Sequence, residues 1–218
     1  MLLFAAPCGA CHGPLPRPTA SAVCDGCWRA LPRYPATLVG ATPPDGLDWL
    51  RSLGPYDGSL RALLHALKYD GRQTLARQLA REMRPLLDDL RGHADTCLVP
   101  VPLHPGRSLR RGFNQAELLA RALAIEWPVS LALVRRRSAA TQTRFTRAAR
   151  LRNVAEAFAV RQPRGWRSWG ATGLASRVVL VDDVVTTGAT LAACARALRA
   201  VGVSEVGAVT AARTERRQ

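Results

Sequence analysis

The sequence predicts an α/β protein: a parallel sheet flanked by helices, with a small metal-binding ribbon at its N-terminal end. Three observations predict it. From about residue 97 onward, strand-like apolar runs alternate with helical patterns, the order that builds a parallel sheet. The run "RVVLVD" (177–182) is β-branched without polar alternation, as a strand buried on both faces should be. The first 34 residues carry two Cys-x2-Cys pairs but too little apolar periodicity to bury a core of their own.

In the ribbon, Cys8 and Cys11 form one pair, Cys24 and Cys27 the other, with twelve residues between them. Two thiolate pairs on tight knuckles give a tetrahedral sulfur set, which suits zinc, and Gly9, Gly13 and Gly26 allow the sharp turns. Four ligands close the site, so the expected metal is structural and His12 is left without a vacancy. A thioredoxin-like redox pair would need a strand–helix context that neither pair has. The ribbon would either steady the chain or present Arg17, Arg29 and Arg33 to a partner. Cys97 and Cys194 sit in apolar surroundings and read as small core residues. This is no disulfide framework, and a reducing cytoplasm is the expected compartment. The start, "MLLFAAPC", lacks the basic region and the apolar length of a secretion signal, and no run reaches transmembrane length.

Residues 35–50, with Pro35, Pro43, Pro44 and Gly46, read as a linker to a domain over 51–218. Leu60, Leu63, Leu64 and Leu67 then make the apolar face of a helix. Arg61, His65 and Lys68 follow one another on a different face, a stripe expected to be solvated. A second helix is expected over 73–91, disturbed at Pro85. "CLVPVPLH" (97–104) reads as a short strand, and "GFNQAELLARALA" as a helix capped by Asn114 with Glu117 three residues on. Residues 135–152 hold seven arginines and no acid, a pattern expected of a mobile loop. "AFAV" (157–160) reads as a strand, and 161–176 as an insertion of no clear pattern. "ATLAACARALRAVG" is a helix ending at Gly202, and "EVGAVTAAR" is the last strand.

The charge is lopsided: 31 Lys+Arg against 16 Asp+Glu, with Lys68 the only lysine. Arginine forks suit phosphate oxygens, so a polyanionic partner, nucleic acid or a polyphosphate, leads over a compositional arginine bias.

The stretch that carries chemistry is "VVLVDDVVTTGAT" (178–190). A buried strand over 178–182 should deliver Asp182 and Asp183 at its C-terminal end, where open parallel sheets bind ligands. Thr186, Thr187, Gly188, Ala189 and Thr190 then open a helix, whose first N–H groups attract phosphate. Two carboxylates would repel a phosphate they touched, so they must address a neutral, hydroxyl-rich part of the same ligand. A ribose 5-phosphate meets both demands. There is no Gly-Lys-Ser/Thr, so this is not a Walker loop.

"VVLVDDVVTTGATL" closely resembles the phosphoribosyl-pyrophosphate (PRPP) motif of type I phosphoribosyltransferases. "YDGSLRALLHALKYDGR" (56–72), "VPVPLHPGRSLRRGFNQAELLARALA" (99–124) and "RAARLRNVAEAF" (147–158), behind the double Cys-x2-Cys ribbon, narrow the resemblance to the ComF competence family over nearly the whole chain. The resemblance implies a type I phosphoribosyltransferase-like sheet. It implies Asp182 and Asp183 on the ribose hydroxyls, and Thr186 to Thr190 on the 5-phosphate. Val101, Pro102 and Leu103 would face pyrophosphate, with Arg107, Arg110 and Arg111 beside them and Mg2+ accompanying PRPP. Gln142, Arg150 and Asn153 match the family's closing loop, while Ala139 stands where the family usually has threonine.

Two function classes fit: a phosphoribosyltransferase acting on an amine or base, and a DNA-handling protein of natural transformation that binds PRPP or nucleic acid without turnover. No nucleobase pocket is apparent in the sequence. No N-terminal cysteine nucleophile is free for amidotransfer, because Cys8 belongs to the metal set. The family's link to DNA uptake favours the second class, with single-stranded DNA and the DNA-uptake helicase machinery as partners. Trp28, Trp166 and Trp169 would either interleave the arginines as stacking surfaces or pack internally.

Overall fold

The computed structural model describes residues 7–15, 23–35, 42–103, 106, 111–136, 157–161 and 174–215. In chain order the strands are β1 (Trp49–Pro55), β2 (Thr96–Pro100), β3 (Leu133–Arg135), β4 (Phe158–Val160), β5 (Arg177–Val185) and β6 (Glu205–Arg213). The helices are α1 (Asp25–Arg29), α2 (Gly58–Tyr69), α3 (Thr74–Met83), α4 (Gln115–Leu123) and α5 (Ala189–Arg199). Four strands form a parallel sheet in the order β1-β6-β5-β2, and β3 pairs antiparallel with β4.

Local sequence explains most of these elements. Leu60, Leu63, Leu64 and Leu67 of α2 are fully buried, and Asp57 caps the helix by accepting from the Gly58 N–H at 2.8 Å. The expected helix over 73–91 divides: α3 ends at Met83, and Arg84–Leu90 tightens into a 3-10 helix with Pro85 in its first turn. Asn114 caps α4 through the Ala116 N–H, but Glu117 turns outward to Arg121 at 2.9 Å instead of closing a capping box. Gly202, at φ 92°, ends the α5 turn, and the Val203 N–H reaches back to the Leu198 carbonyl at 3.2 Å.

The crossovers place the ligand crevice. α2, α3 and α4 cover one face of the sheet, against Leu98, Val179, Val181 and Val209. α5 covers the other, against Cys97, Val99, Val178, Leu180 and Ala208. After α4 the chain returns on the outer side of β2, where Val129 bridges Leu98 and the Ser130 N–H donates to the Leu98 carbonyl at 2.9 Å. From β5 the chain crosses through α5 to β6, in the opposite direction and over the opposite face. Winding therefore reverses between β2 and β5, and a crevice opens beyond their carboxyl ends.

The ribbon shares the core of the sheet. Cys8, Leu15, Val23 and Leu31 belong to the same buried cluster as α2 and α3. Its exit is pinned on β1. The Tyr34 N–H donates to the Leu53 carbonyl at 2.8 Å, and Arg33 grips Glu82 of α3 at 2.9 and 2.8 Å. A Cβ on Gly54 would run into the Pro32 carbonyl. At the other edge of β1, the Trp49 ring lies where a Cβ of Gly207 would stand. Strand β1 thus begins inside the span whose prolines read as a linker.

Candidate functional site

Strand β5 outruns its neighbour. The last β2–β5 pair is Pro100 with Val181, while pairing with β6 continues to Val185. Asp182 and Asp183 therefore stand inside β5, three and two residues before its end, where one flank is open. Alternation sends them to opposite sides. Val178 and Leu180, in phase with Asp182, face α5; Val179 and Val181, in phase with Asp183, face α2 to α4.

Their surroundings differ accordingly. The Asp183 carboxylate meets the Lys68 ammonium of α2 at 2.5 Å and accepts from the Val184 N–H at 2.9 Å. Lys68 is only 16 % exposed at its side chain, so the stripe expected in solvent delivers one of its cations to the site. Asp182 accepts from the Asp183 N–H at 2.8 Å. Burial, reinforced by the negative Asp183, raises the Asp182 carboxyl well above its ordinary range, and Lys68 only partly offsets this.

The acids open into a cleft of about 340 Å³ lined by Val101, Pro102, Leu103, Arg111, Asp182, Asp183, Thr186 and Thr190. Among the described residues lining it, Asp182 and Asp183 are the only carboxylates. A smaller recess adjoins it at the start of α5, lined by Asp182 and by Thr186, Thr187, Gly188, Ala189 and Thr190. Gly188 caps α5 in the left-handed region, at φ 78°. A Cβ there would also run into Pro44, which packs against the turn. Every described residue that the sequence assigns to the ligand thus borders one or both of two hollows that share Asp182, Thr186 and Thr190. Arg107, Arg110, Gln142, Arg150, Asn153 and Ala139 lie outside the described residues, as do Arg17, Trp166 and Trp169.

The structure adds residues that the motifs did not mark. Tyr56, Lys68, Tyr69, Gln115, Arg135 and Thr214 also line the cleft. Arg111 lies over the Tyr69 ring at 4.8 Å and donates to Gln115 Oε1 at 3.2 Å, so its guanidinium is held from two sides. A signal for Lys68 was present, since it is the one lysine in an arginine-rich chain. Nothing local marked Gln115 as a buried amide, 2 % exposed, at the head of α4.

The four ribbon thiols Cys8, Cys11, Cys24 and Cys27 stand with their sulfurs within 4.8 Å of one another. Zn–S bonds of about 2.3 Å would set tetrahedral sulfurs roughly 3.8 Å apart, and Cys11 Sγ lies 3.8 Å from Cys24 Sγ. Backbone N–H groups of Ala10 and Cys24 point at Cys8 Sγ, at 3.4 and 3.3 Å. Burial opposes charge on Cys8, yet backbone hydrogen bonds from Cys11 first, then from Cys24 and Ala10, outweigh it and bring the thiol down to about 6. Cys27 is pushed up by burial and by its sulfur neighbours. Donor set and spacing both suit a structural zinc ion. Trp28 packs partly buried against the core beside the cluster. No helix among the described residues is long and apolar enough to cross a membrane.

Residues 109–218 match the family described as Phosphoribosyl transferase domain. The DNA utilization protein YhgH of Salmonella typhimurium is 36 % identical over 189 residues, 81 % of this chain and 77 % of that protein. Competence protein F of Haemophilus influenzae is 32 % identical over 166 residues, 73 % of this chain and 70 % of that protein. Competence protein ComFC of Streptococcus pneumoniae is 29 % identical over 156 residues, 72 % of this chain and 64 % of that protein.

Proposed function

This chain belongs to the phosphoribosyl transferase domain family and, within it, to the ComF competence proteins; from that premise we propose that it binds PRPP in the cleft beyond β2 and β5 and serves DNA uptake in natural transformation, handling single-stranded DNA. One observation carries the PRPP reading. Two carboxylates, a helix N-terminus rich in hydroxyls and a fixed guanidinium border two adjoining hollows that share Asp182, Thr186 and Thr190. Asp182 and Asp183 take the ribose hydroxyls, and the Thr186 to Thr190 turn takes the 5-phosphate through backbone N–H groups. Arg111, braced by Tyr69 and Gln115, receives pyrophosphate beside Val101, Pro102 and Leu103.

Magnesium fits this donor set as an ion that arrives with pyrophosphate, because it favours one or two carboxylates together with substrate phosphates. When bound it supplies charge neutralisation at the pyrophosphate, and Asp182 is the carboxylate in the cleft without a lysine partner. Zinc held by Cys8, Cys11, Cys24 and Cys27 closes the ribbon, residues 1–34, which 35–50 joins to the binding domain at 51–218. The names of the relatives, a DNA utilization protein and competence proteins, support DNA as a partner, and the DNA-uptake helicase machinery is proposed with it.

Calorimetry with PRPP and Mg2+ tests the site. Asp182→Asn combined with Asp183→Asn should abolish measurable binding while circular dichroism stays unchanged; an unaltered affinity would overturn the assignment. Pyrophosphate release from labelled PRPP in cell extract would mark the second reading, transfer to an amine or base acceptor through the same cleft.

A further inference from the structure

The cleft has a neighbour. Along α2 a second hollow of about 410 Å³ opens between the ribbon and the helix, bordered by His12, Asp57, Arg61, His65 and Asp70. Arg61 and His65 of α2 border the hollow, and Lys68, on the same stripe of the helix, borders the cleft. At the end of α2 stands Tyr69, 59 % exposed, where a ring of that size would ordinarily be turned inward. The His65 ring contacts it at 4.6 Å between centroids, from the side of the second hollow. Arg111 covers it at 4.8 Å, from the side of the cleft. Arg61 stands one turn from His65, its guanidinium 6.0 Å from the Tyr56 ring. Arg61, His65 and Tyr69 follow one another over about 12 Å of α2, with Arg111 beside the last ring, the reach of two or three nucleotides.

The geometry points to a single strand of nucleic acid lying across α2, from the rim of the cleft into the hollow beside the ribbon, its bases against Tyr69 and His65 and its phosphates beside Arg61. This rests on the DNA-handling reading and names the surface that does it. Aromatic rings interleaved with cations bind unpaired bases, whose faces a duplex keeps stacked. The carboxylates of Asp57 and Asp70 select further. The amino edges of bases donate hydrogen bonds to carboxylates, and the strand's phosphates must then run on the Arg61 side, away from Asp57 and Asp70. The rim position also sets a base next to the proposed ribose site.

Binding of a labelled oligodeoxycytidine strand of about 12 nucleotides to the full chain, followed by fluorescence anisotropy, tests this. Tyr69→Ala should weaken binding about tenfold, and Tyr69→Phe should restore it, because stacking needs the ring and not the hydroxyl. Arg61→Ala with His65→Ala should weaken it by a similar factor while leaving PRPP affinity intact, since neither residue lines the cleft. Arg121→Ala removes the same formal charge from α4 and should change affinity less than about twofold. A wild-type protein that binds the strand, with Tyr69→Ala and the Arg61/His65 variant binding equally well, overturns the surface and leaves the reading standing. Equal losses at Arg121 and at α2 overturn it too, in favour of diffuse charge. No binding by the wild type overturns the DNA-handling reading and the surface together, and PRPP calorimetry on the same sample then shows whether the cleft is intact.

Discussion

In the ribbon, four thiols stand within 4.8 Å of one another, and their polar neighbours are backbone N–H groups and other sulfurs. At the end of β5, two adjacent carboxylates stand in a cleft that the chain itself supplies with an ammonium, Lys68. Both are crowded clusters of acidic donors. The first can ionise fully only with a cation from outside, and its four ligands leave that cation no open position. The second is already half neutralised, so it can stand empty and exchange ligands. The difference separates a structural centre from a working one, and it follows from which element packs beside each cluster. The ribbon turns its sulfurs toward one another, whereas α2 turns Lys68 onto Asp183.

The largest expected effect tests the ribbon side. A strong chelator should release about one zinc per chain and cost on the order of 5 kcal/mol of stability, because the ligands gain their ionised form only with the metal. The loss should spread, since Cys8, Leu15, Val23 and Leu31 share the core of α2 and α3. Metal release read by a colorimetric indicator, alongside Trp28 fluorescence, would follow both. A metal-free ribbon that stays folded would end the contrast.

Lys68 is the next lever. Lys68→Met leaves Asp183 buried beside Asp182 without its cation, and should cost about 2 kcal/mol in the empty protein. Lys68→Arg should recover part of it. Urea unfolding of the three proteins measures this, and equal midpoints would show that the carboxylates need no internal cation.

Much of this was legible in the sequence, and what was missed has a physical cause. The cysteine spacing, the β5 run, the α5 stop at Gly202 and the last strand are local signals that the structure carries, although β5 runs past its expected end at 182, through both acids to Val185. The strand "WLRSLGP" was not, because its pairing with β6 is decided by Trp49 packing on Gly207, more than 150 residues away. Gly188 reads as part of the turn that opens a helix; the structure adds Pro44, which fills the space a side chain there would need. Lys68 sits on a stripe whose spacing is that of a solvated face, and only the crossing of α2 over the strand ends turns it inward. The partners of Asp182 and Asp183 were therefore hidden even though both acids were plain.

The smallest effect separates the two acids. Asp182 has its carboxyl raised by burial and by Asp183, so the folded chain holds a proton that the unfolded chain gives up. The contribution is stabilising below the unfolded value near 3.9 and is lost as pH rises through the higher folded value. The empty protein should therefore gain stability on acidification from neutral toward about pH 5. Below about pH 4 the sign reverses, because Asp89, held below the ordinary carboxylate range first by its hydrogen bonds from Arg51, must then be protonated. Asp182→Asn removes the ionisable group while keeping an amide of the same shape. It should raise stability at neutral pH by about 1 kcal/mol and flatten the profile between pH 5 and 7, values set by the direction of the shift and the usual trade of stability for a binding site. Asp183→Asn should do the opposite, because it strands Lys68. Thermal unfolding at several pH values distinguishes them. Parallel profiles for the two variants would mean that the two sides of β5 are electrostatically alike.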